Sequence, residues 1–200
     1  MTAPAREPLP PRVAADRAPT AVTAEELADG LEGTVARDLR LPGARLGRLG
    51  LLDCAFTRCD LAGLDASESS LVRVELTGCR LTGGNAREAL LRDVVLRDCR
   101  MDLASLAGAR LERVTFERCD LRELDLHAAR LHEVRLFGCD LSGAILEETD
   151  CTRCELRECT YADLRGIAGL AGATIGWPDA IELAPAFAAA LGVRVSGGER

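Results

Sequence analysis

From Leu46 to Tyr161 one five-residue register runs without a slip, and this is the feature that most restricts how the chain can fold. Its 24 central positions are Leu46, Leu51, Phe56 and every fifth residue thereafter, mostly Leu, with Ala66, Ala86 and Cys151 the smallest. Two places before each centre stands a smaller residue, as in Cys54, Cys59, Val74, Cys79, Ala89, Val94 and Cys99, while the other three places are mostly polar. An α-helix cannot use such a pattern, because positions five apart are rotated by about 140° and share no face. A simple strand fails as well, since an odd spacing alternates between its two faces.

A second period lies on the first. Cys59, Cys79, Cys99, Cys119, Cys139 and Cys159 recur every twenty residues, and Cys54, Val74, Val94, Val114, Val134 and Cys154 do the same on the preceding side. Four pentapeptides per turn give a square coil whose equivalent side chains stack in columns. Six such coils at the interstrand spacing make a rod section about 29 Å long. An aromatic fraction of only 3% agrees with this narrow interior, which Leu, Val, Ala and Cys fill and large rings would not fit.

These stretches resemble the pentapeptide repeat family, whose motif is a small residue, a polar one, a central Leu or Phe and two more polar ones. Cys59-Asp60-Leu61-Ala62-Gly63, Cys119-Asp120-Leu121-Arg122-Glu123 and Cys139-Asp140-Leu141-Ser142-Gly143 fit it closely. The resemblance implies an all-β solenoid, a right-handed quadrilateral β-helix, here expected over residues 41–175. Residues 1–22 are expected to form a disordered Pro-rich tail, and residues 23–40 a cap in which Thr23 and Glu26 make a capping box that opens a short helix. A solenoid end exposes an unpaired edge and an open core, so a cap answers a physical need.

Residues 176–200 read as a helix and tail. Trp177-Pro178-Asp179 starts the helix and Gly192 stops it, while Pro185 is expected to kink or divide it. Ile181, Ala184, Phe187, Ala188 and Leu191 are assigned to one face, and Val193 and Val195 to a brief final strand. This ending is similar to the dimerisation end of the gyrase-protecting, fluoroquinolone-resistance members of the family. The similarity implies a homodimer through Trp177, Ile181, Ala184, Phe187, Ala188 and Leu191.

Composition narrows the chemistry. The net charge of -7 argues against direct nucleic-acid binding, which needs a cationic surface. No stretch approaches the roughly 18 apolar residues of a membrane span, and the first twenty residues lack the apolar run of a secretory signal. The chain is expected to be cytoplasmic, with its nine Cys as thiols. Cys151 and Cys154 form a CxxC, but the register places both inside, where thiols pack as small hydrophobes. His127 and His132 each follow a centre and point outward, and no His completes a zinc set. Gly83-Gly84-Asn85 is a corner with no helix after it to make a phosphate loop. The residues point to no enzyme, no cofactor and no metal.

The surface remains. On the two sides centred on Leu121 and Leu126 and on their stacked equivalents Leu141 and Leu146, Asp120, Glu123, Asp125, Asp140, Glu147 and Glu148 meet Arg122 as the sole Arg. Together with the resemblance, this acidic strip implies a DNA mimic that binds a type II topoisomerase such as DNA gyrase, modulating it or protecting it from quinolone-type inhibitors. B-DNA carries a charge about every 1.7 Å, so mimicry by this rod is local. The alternative is a protein-protein interaction scaffold with no topoisomerase role, using outward apolar residues Val72, Leu90, Val95, Leu103 and Phe137. Those residues could instead meet the N-terminal segment.

Overall fold

The structure, a computed structural model, describes residues 5–13 and 19–194. The chain winds into a right-handed, four-sided β-helix of about 7 turns. Strands Gly50–Thr57, Ser70–Thr77, Leu90–Arg97 and Arg110–Glu117 stack in parallel with a shift of twenty residues, as in Leu51↔Leu71, Leu71↔Leu91 and Leu91↔Leu111. Higher up, the two sides separate into Arg130–His132 with Asp150–Thr152 and Arg135–Phe137 with Glu155–Arg157. The other two sides touch their neighbours through single bridges such as Asp120↔Asp140 and Asp125↔Ile145.

Each centre points inward, and the residue two places after each centre from Leu51 to Tyr161 has positive φ, which turns the chain through a corner. Eighteen described non-glycine residues adopt this left-handed conformation. Most side chains meet a steric penalty there, and the hydrogen-bonded stack overrides it. Backbone bonds from coil to coil supply that constraint, for example Glu123 N to Ser142 O at 2.9 Å and Glu133 N to Thr152 O at 2.9 Å.

The coil begins before the repeat is recognisable. Leu31–Glu32 and Val35–Arg37 pair with Leu51–Leu52 and Ala55–Thr57 in the same twenty-residue register. Ahead of them α1, Ala24–Asp29, starts with the reciprocal Thr23 and Glu26 capping box and places Leu27 against the core at 1% exposure. At the other end Thr174–Ile175 pairs with Glu155–Leu156 at a shift of nineteen residues. The short 3-10 turn Ile167–Leu170 lies in that last coil. Then α2, Trp177–Ala190, runs as one helix with Pro185 inside it, so the expected division does not occur. Gly192 follows with φ 73°, and Val193 N returns to Ala188 O at 2.8 Å. Val193 is in no strand, and Val195 lies outside the described residues. Among the described residues no helix is long and apolar enough to cross a membrane.

Candidate interaction surface

The rod carries its charge in two different ways. One column reads Asp53, Arg73, Asp93, Arg113, Glu133 and Arg153, with signs alternating from coil to coil. Arg73 donates from Nε to Asp53 Oδ1 at 2.6 Å and from Nη2 to Oδ2 at 2.7 Å. Arg113 grips Asp93 in the same forked manner at 2.7 and 3.0 Å, and Arg153 reaches Glu133 at 3.2 Å. Bidentate pairs of this kind are the strong form of ion pair. The acidic members are almost fully covered, Asp53 at 7% and Asp93 and Glu133 at 3% exposure. The Arg73 guanidinium holds the Asp53 carboxyl at about 2, against the opposing effect of burial. Burial pushes Asp93 upward, but Arg113 and the Leu9 amide outweigh it and keep the carboxyl below its usual range.

What covers this ladder is the N-terminal segment. Where a disordered tail was expected, the described residues 5–13 cross the rod against the order of the coils. Arg135 Nη2 donates to Ala5 O, Leu9 N donates to Asp93 Oδ1 at 3.1 Å, and Arg12 N donates to Asp53 Oδ1 at 2.9 Å. Arg6 and Glu7 add ion pairs to Glu133 at 3.8 Å and Arg135 at 3.4 Å. Pro8, Pro10 and Pro11 have no amide hydrogen, so no donor on those residues is left unmade by an extended path. Of the outward apolar residues, Val95 is buried and Val72 and Leu90 are half-buried, whereas Phe137 and Leu103 stay open at 39% and 57%.

The acidic strip lies on the other side. Arg122 pairs with Asp120 through both oxygens at 2.7 Å and approaches Asp140 at 3.9 Å. The bond to Arg122 sets the Asp120 carboxyl below its usual range. For Asp140 burial pulls upward, but the bonds from Ser142 and Thr160 prevail and the carboxyl is lowered. Both carboxylates are thus already engaged. Glu123, Asp125, Glu147 and Glu148 are in no ion pair among the described residues, and all but the half-covered Asp125 are exposed. Asp125 accepts from His127 N at 2.9 Å and Ser105 Oγ at 3.2 Å, bonds that leave its charge uncompensated.

Beside the strip, α2 closes the rod. Asp179, 2% exposed, accepts from Glu158 N at 3.1 Å, Cys159 N at 2.9 Å and the Tyr161 hydroxyl at 2.8 Å. Its carboxylate thereby satisfies amides of the last coil that have no further coil to donate to. Burial, first among the causes, pushes the Tyr161 phenol up and keeps it a donor. Leu183 is buried and Phe187 packs beside the core, so Phe187 does not share the face of Ile181. The reason is angular, since 183 and 187 are one turn apart whereas 181, 184, 188 and 191 follow a different stripe. Trp177, Ile181 and Leu191 are exposed at 79%, 63% and 81%, Ala184 is open, and Ala188 is half-buried.

The thiols are part of the packing. All nine Cys are unbridged and buried, and Cys99 and Cys119 donate from Sγ to Leu76 O and Leu96 O at 3.4 Å. Burial pushes the Cys54 thiol up, away from the thiolate that reactivity requires. His127 and His132 are exposed, and no group of three or more His, Cys, Asp or Glu among the described residues could hold a metal ion.

Two family models match the sequence, one described as pentapeptide repeat region over residues 50–126 and one as pentapeptide repeats (8 copies) over residues 135–167. No curated protein matches it. Among solved structures, a trypsin-treated form of QnrB1, a plasmid-mediated fluoroquinolone resistance protein, is 18% identical, covering 82% of this chain and 99% of that one at a TM-score of 0.32. HetL, a pentapeptide repeat protein involved in heterocyst differentiation regulation in the cyanobacterium Nostoc sp., is 20% identical over 73% of this chain and 65% of that one, at 0.24. A pentapeptide repeat protein from the Arabidopsis thaliana thylakoid lumen is 13% identical over 65% and 77%, at 0.27. The matched stretches fall on the four-sided coil that the five-residue register builds, and the chain belongs to the pentapeptide repeat family.

Proposed function

We propose that the protein is a non-enzymatic interaction rod that acts as a local DNA mimic, docking its acidic strip on the cationic DNA-binding surface of a type II topoisomerase such as DNA gyrase. The observation that carries this reading is a set of carboxylates with no ion-pair partner among the described residues, Glu123, Asp125, Glu147 and Glu148, gathered near one end of the rod on the flank away from the paired ladder. Complementary potentials of this kind steer association and make it sensitive to salt. Binding there modulates the enzyme or protects it from quinolone-type inhibitors. In the same reading the open stripe of α2, Trp177, Ile181, Ala184 and Leu191, joins two copies into a homodimer. Ile181→Asp is expected to yield monomer in sedimentation while leaving the melting temperature within a few degrees of the parent; a dimer that persists would remove this contact from the assignment.

The deciding experiment is DNA supercoiling by gyrase, with topoisomerase IV in parallel, each with and without a fluoroquinolone. Inhibition of supercoiling, or relief of the drug's effect, supports the proposal. If neither occurs, the topoisomerase reading is lost. Recovery of a single other protein would then favour a scaffold that uses the exposed Leu103 and Phe137.

A further inference from the structure

The core is not filled evenly, and the sequence of one side explains why. Its centres run Leu46, Ala66, Ala86, Leu106, Leu126 and Leu146, and its small positions run Ala44, Leu64, Gly84, Ala104, Leu124 and Ala144. The coil at Gly84 and Ala86 therefore sends one methyl group inward, where the coil at Leu124 and Leu126 sends two isobutyl groups. The other three sides of the lean coil bring only the usual Leu76, Leu81 and Leu91, so nothing takes up the missing volume. A Cβ at Gly84 would stand 3.0 Å from the Leu81 carbonyl oxygen, a tight contact.

The result is a cavity of about 90 Å³ on the axis, walled by apolar side chains. Its presence is visible in the burial of the wall. Leu71, Leu81 and Ala86 point inward yet are only half-buried, whereas Leu106, Leu111 and Leu121 farther along are at 1%, 1% and 0%. Leu27 of α1 lines the N-terminal side of the cavity. A water molecule needs two to four polar partners, and this wall offers none, so the space stays dry. A void also lacks the dispersion contacts that a filled core makes, and an apolar guest restores them. Dry apolar cavities on the order of 150 Å³ in another protein take up benzene or xenon.

We propose that this axial hollow is a binding site for one compact, uncharged apolar molecule, in the range from xenon to a small hydrocarbon. Selectivity follows from the wall. Any guest with a hydrogen-bonding group would leave that group unpaired, and any guest with a long chain would meet the filled coils above Leu106. The site is independent of the acidic strip and of any partner bound there.

Xenon is the direct probe. The full-length protein, labelled at Leu methyl groups, is equilibrated with rising xenon pressure and followed by NMR. The expected result is a saturable shift at Leu71, Leu81 and Leu91 with none at Leu121, Leu126 or Leu141. Ala86→Leu should fill the hollow, abolish the saturable shift and raise the melting temperature. Should Ala86→Leu fail to fold, Ala66→Leu supplies the same comparison from the neighbouring coil. Absence of a saturable shift in the parent, an undiminished shift in the folded filled variant, or water detected inside the hollow would each overturn the proposal.

Discussion

The two charged flanks of the rod use the same backbone and differ in what their charges face. On the ladder flank Asp53, Arg73, Asp93, Arg113, Glu133 and Arg153 alternate, each acid meeting an Arg one coil away. On the acidic flank one Arg, Arg122, faces Asp120 and Asp140, and Glu123, Asp125, Glu147 and Glu148 have no counter-ion among the described residues. Glu123 and Glu148 stand at corners as the ladder residues do, whereas Asp120, Arg122, Asp125, Asp140 and Glu147 stand beside the centres, so the flanks differ both in side-chain choice and in where along the side the charges sit. The ladder directs its electrostatics inward, to its own coils and to the N-terminal segment. The acidic flank directs them outward.

Behind both flanks lies one core, which sets the largest expected effect. Leu121→Arg places an unpaired charge in a fully buried column and is expected to prevent folding; a circular dichroism melt like the parent's would mean that the inward assignment is wrong. Next comes the ladder itself. Asp93→Ala strips Arg113 of its forked partner and leaves the Leu9 amide without an acceptor, which should cost about 2 kcal/mol and lower the melting temperature by roughly 5 °C. If the melt is unchanged, the ladder does not hold the rod.

Acid should act on the same flank. Asp53 is lowered from its ordinary 3.8 to about 2, so its folded form prefers the carboxylate. Its stabilising contribution is then present above about pH 4 and is lost as pH falls toward 2. Melts taken across that window should fall for the parent and be flatter for Asp53→Asn. A parent curve without that fall would contradict the pairing. The smallest effect on stability belongs to the acidic flank, where changing Glu123, Glu147 and Glu148 together to Gln should shift stability by less than about 0.5 kcal/mol per site. The same triple change should sharply reduce association with a cationic partner at low salt, measured by titration at two salt concentrations. Preserved association would show that the strip is only a solvated surface.

How much of this could be read in advance follows from which groups carry the information. The coil was legible because its period is written in side chains, five residues per side and twenty per turn. The ladder's alternation is equally present in the sequence, at 53, 73, 93, 113, 133 and 153, once the corners are known to stack. The crossing of residues 5–13 was not legible. It is anchored by the backbone amides of Leu9 and Arg12 and by the carbonyl of Ala5, groups that every segment possesses. Asp179 escaped for the same reason, since two of its partners are amides of Glu158 and Cys159. The first coil was hidden because Thr34 stands where Cys54 marks the next coil and Ala36 where Phe56 does. On α2 the two apolar stripes were merged into one, and only the packing of Leu183 separates Phe187 from Ile181.

The left-handed corners have a consequence for how this protein can change over generations. Among the described non-glycine residues at those corners there is no Val, Ile or Thr, and sixteen of the eighteen are Asp, Glu or Arg. Branching at Cβ is poorly tolerated at positive φ, whereas an unbranched charged side chain of either sign fits the same bend. Drift among Asp, Glu and Arg at the exposed bends, those outside the buried ladder of Asp53, Asp93 and Glu133, therefore recolours the outside of the rod while the winding stays as it was. Sign changes at the exposed bends outside the paired ladder can thus alter the surface charge of such a rod without disturbing its core.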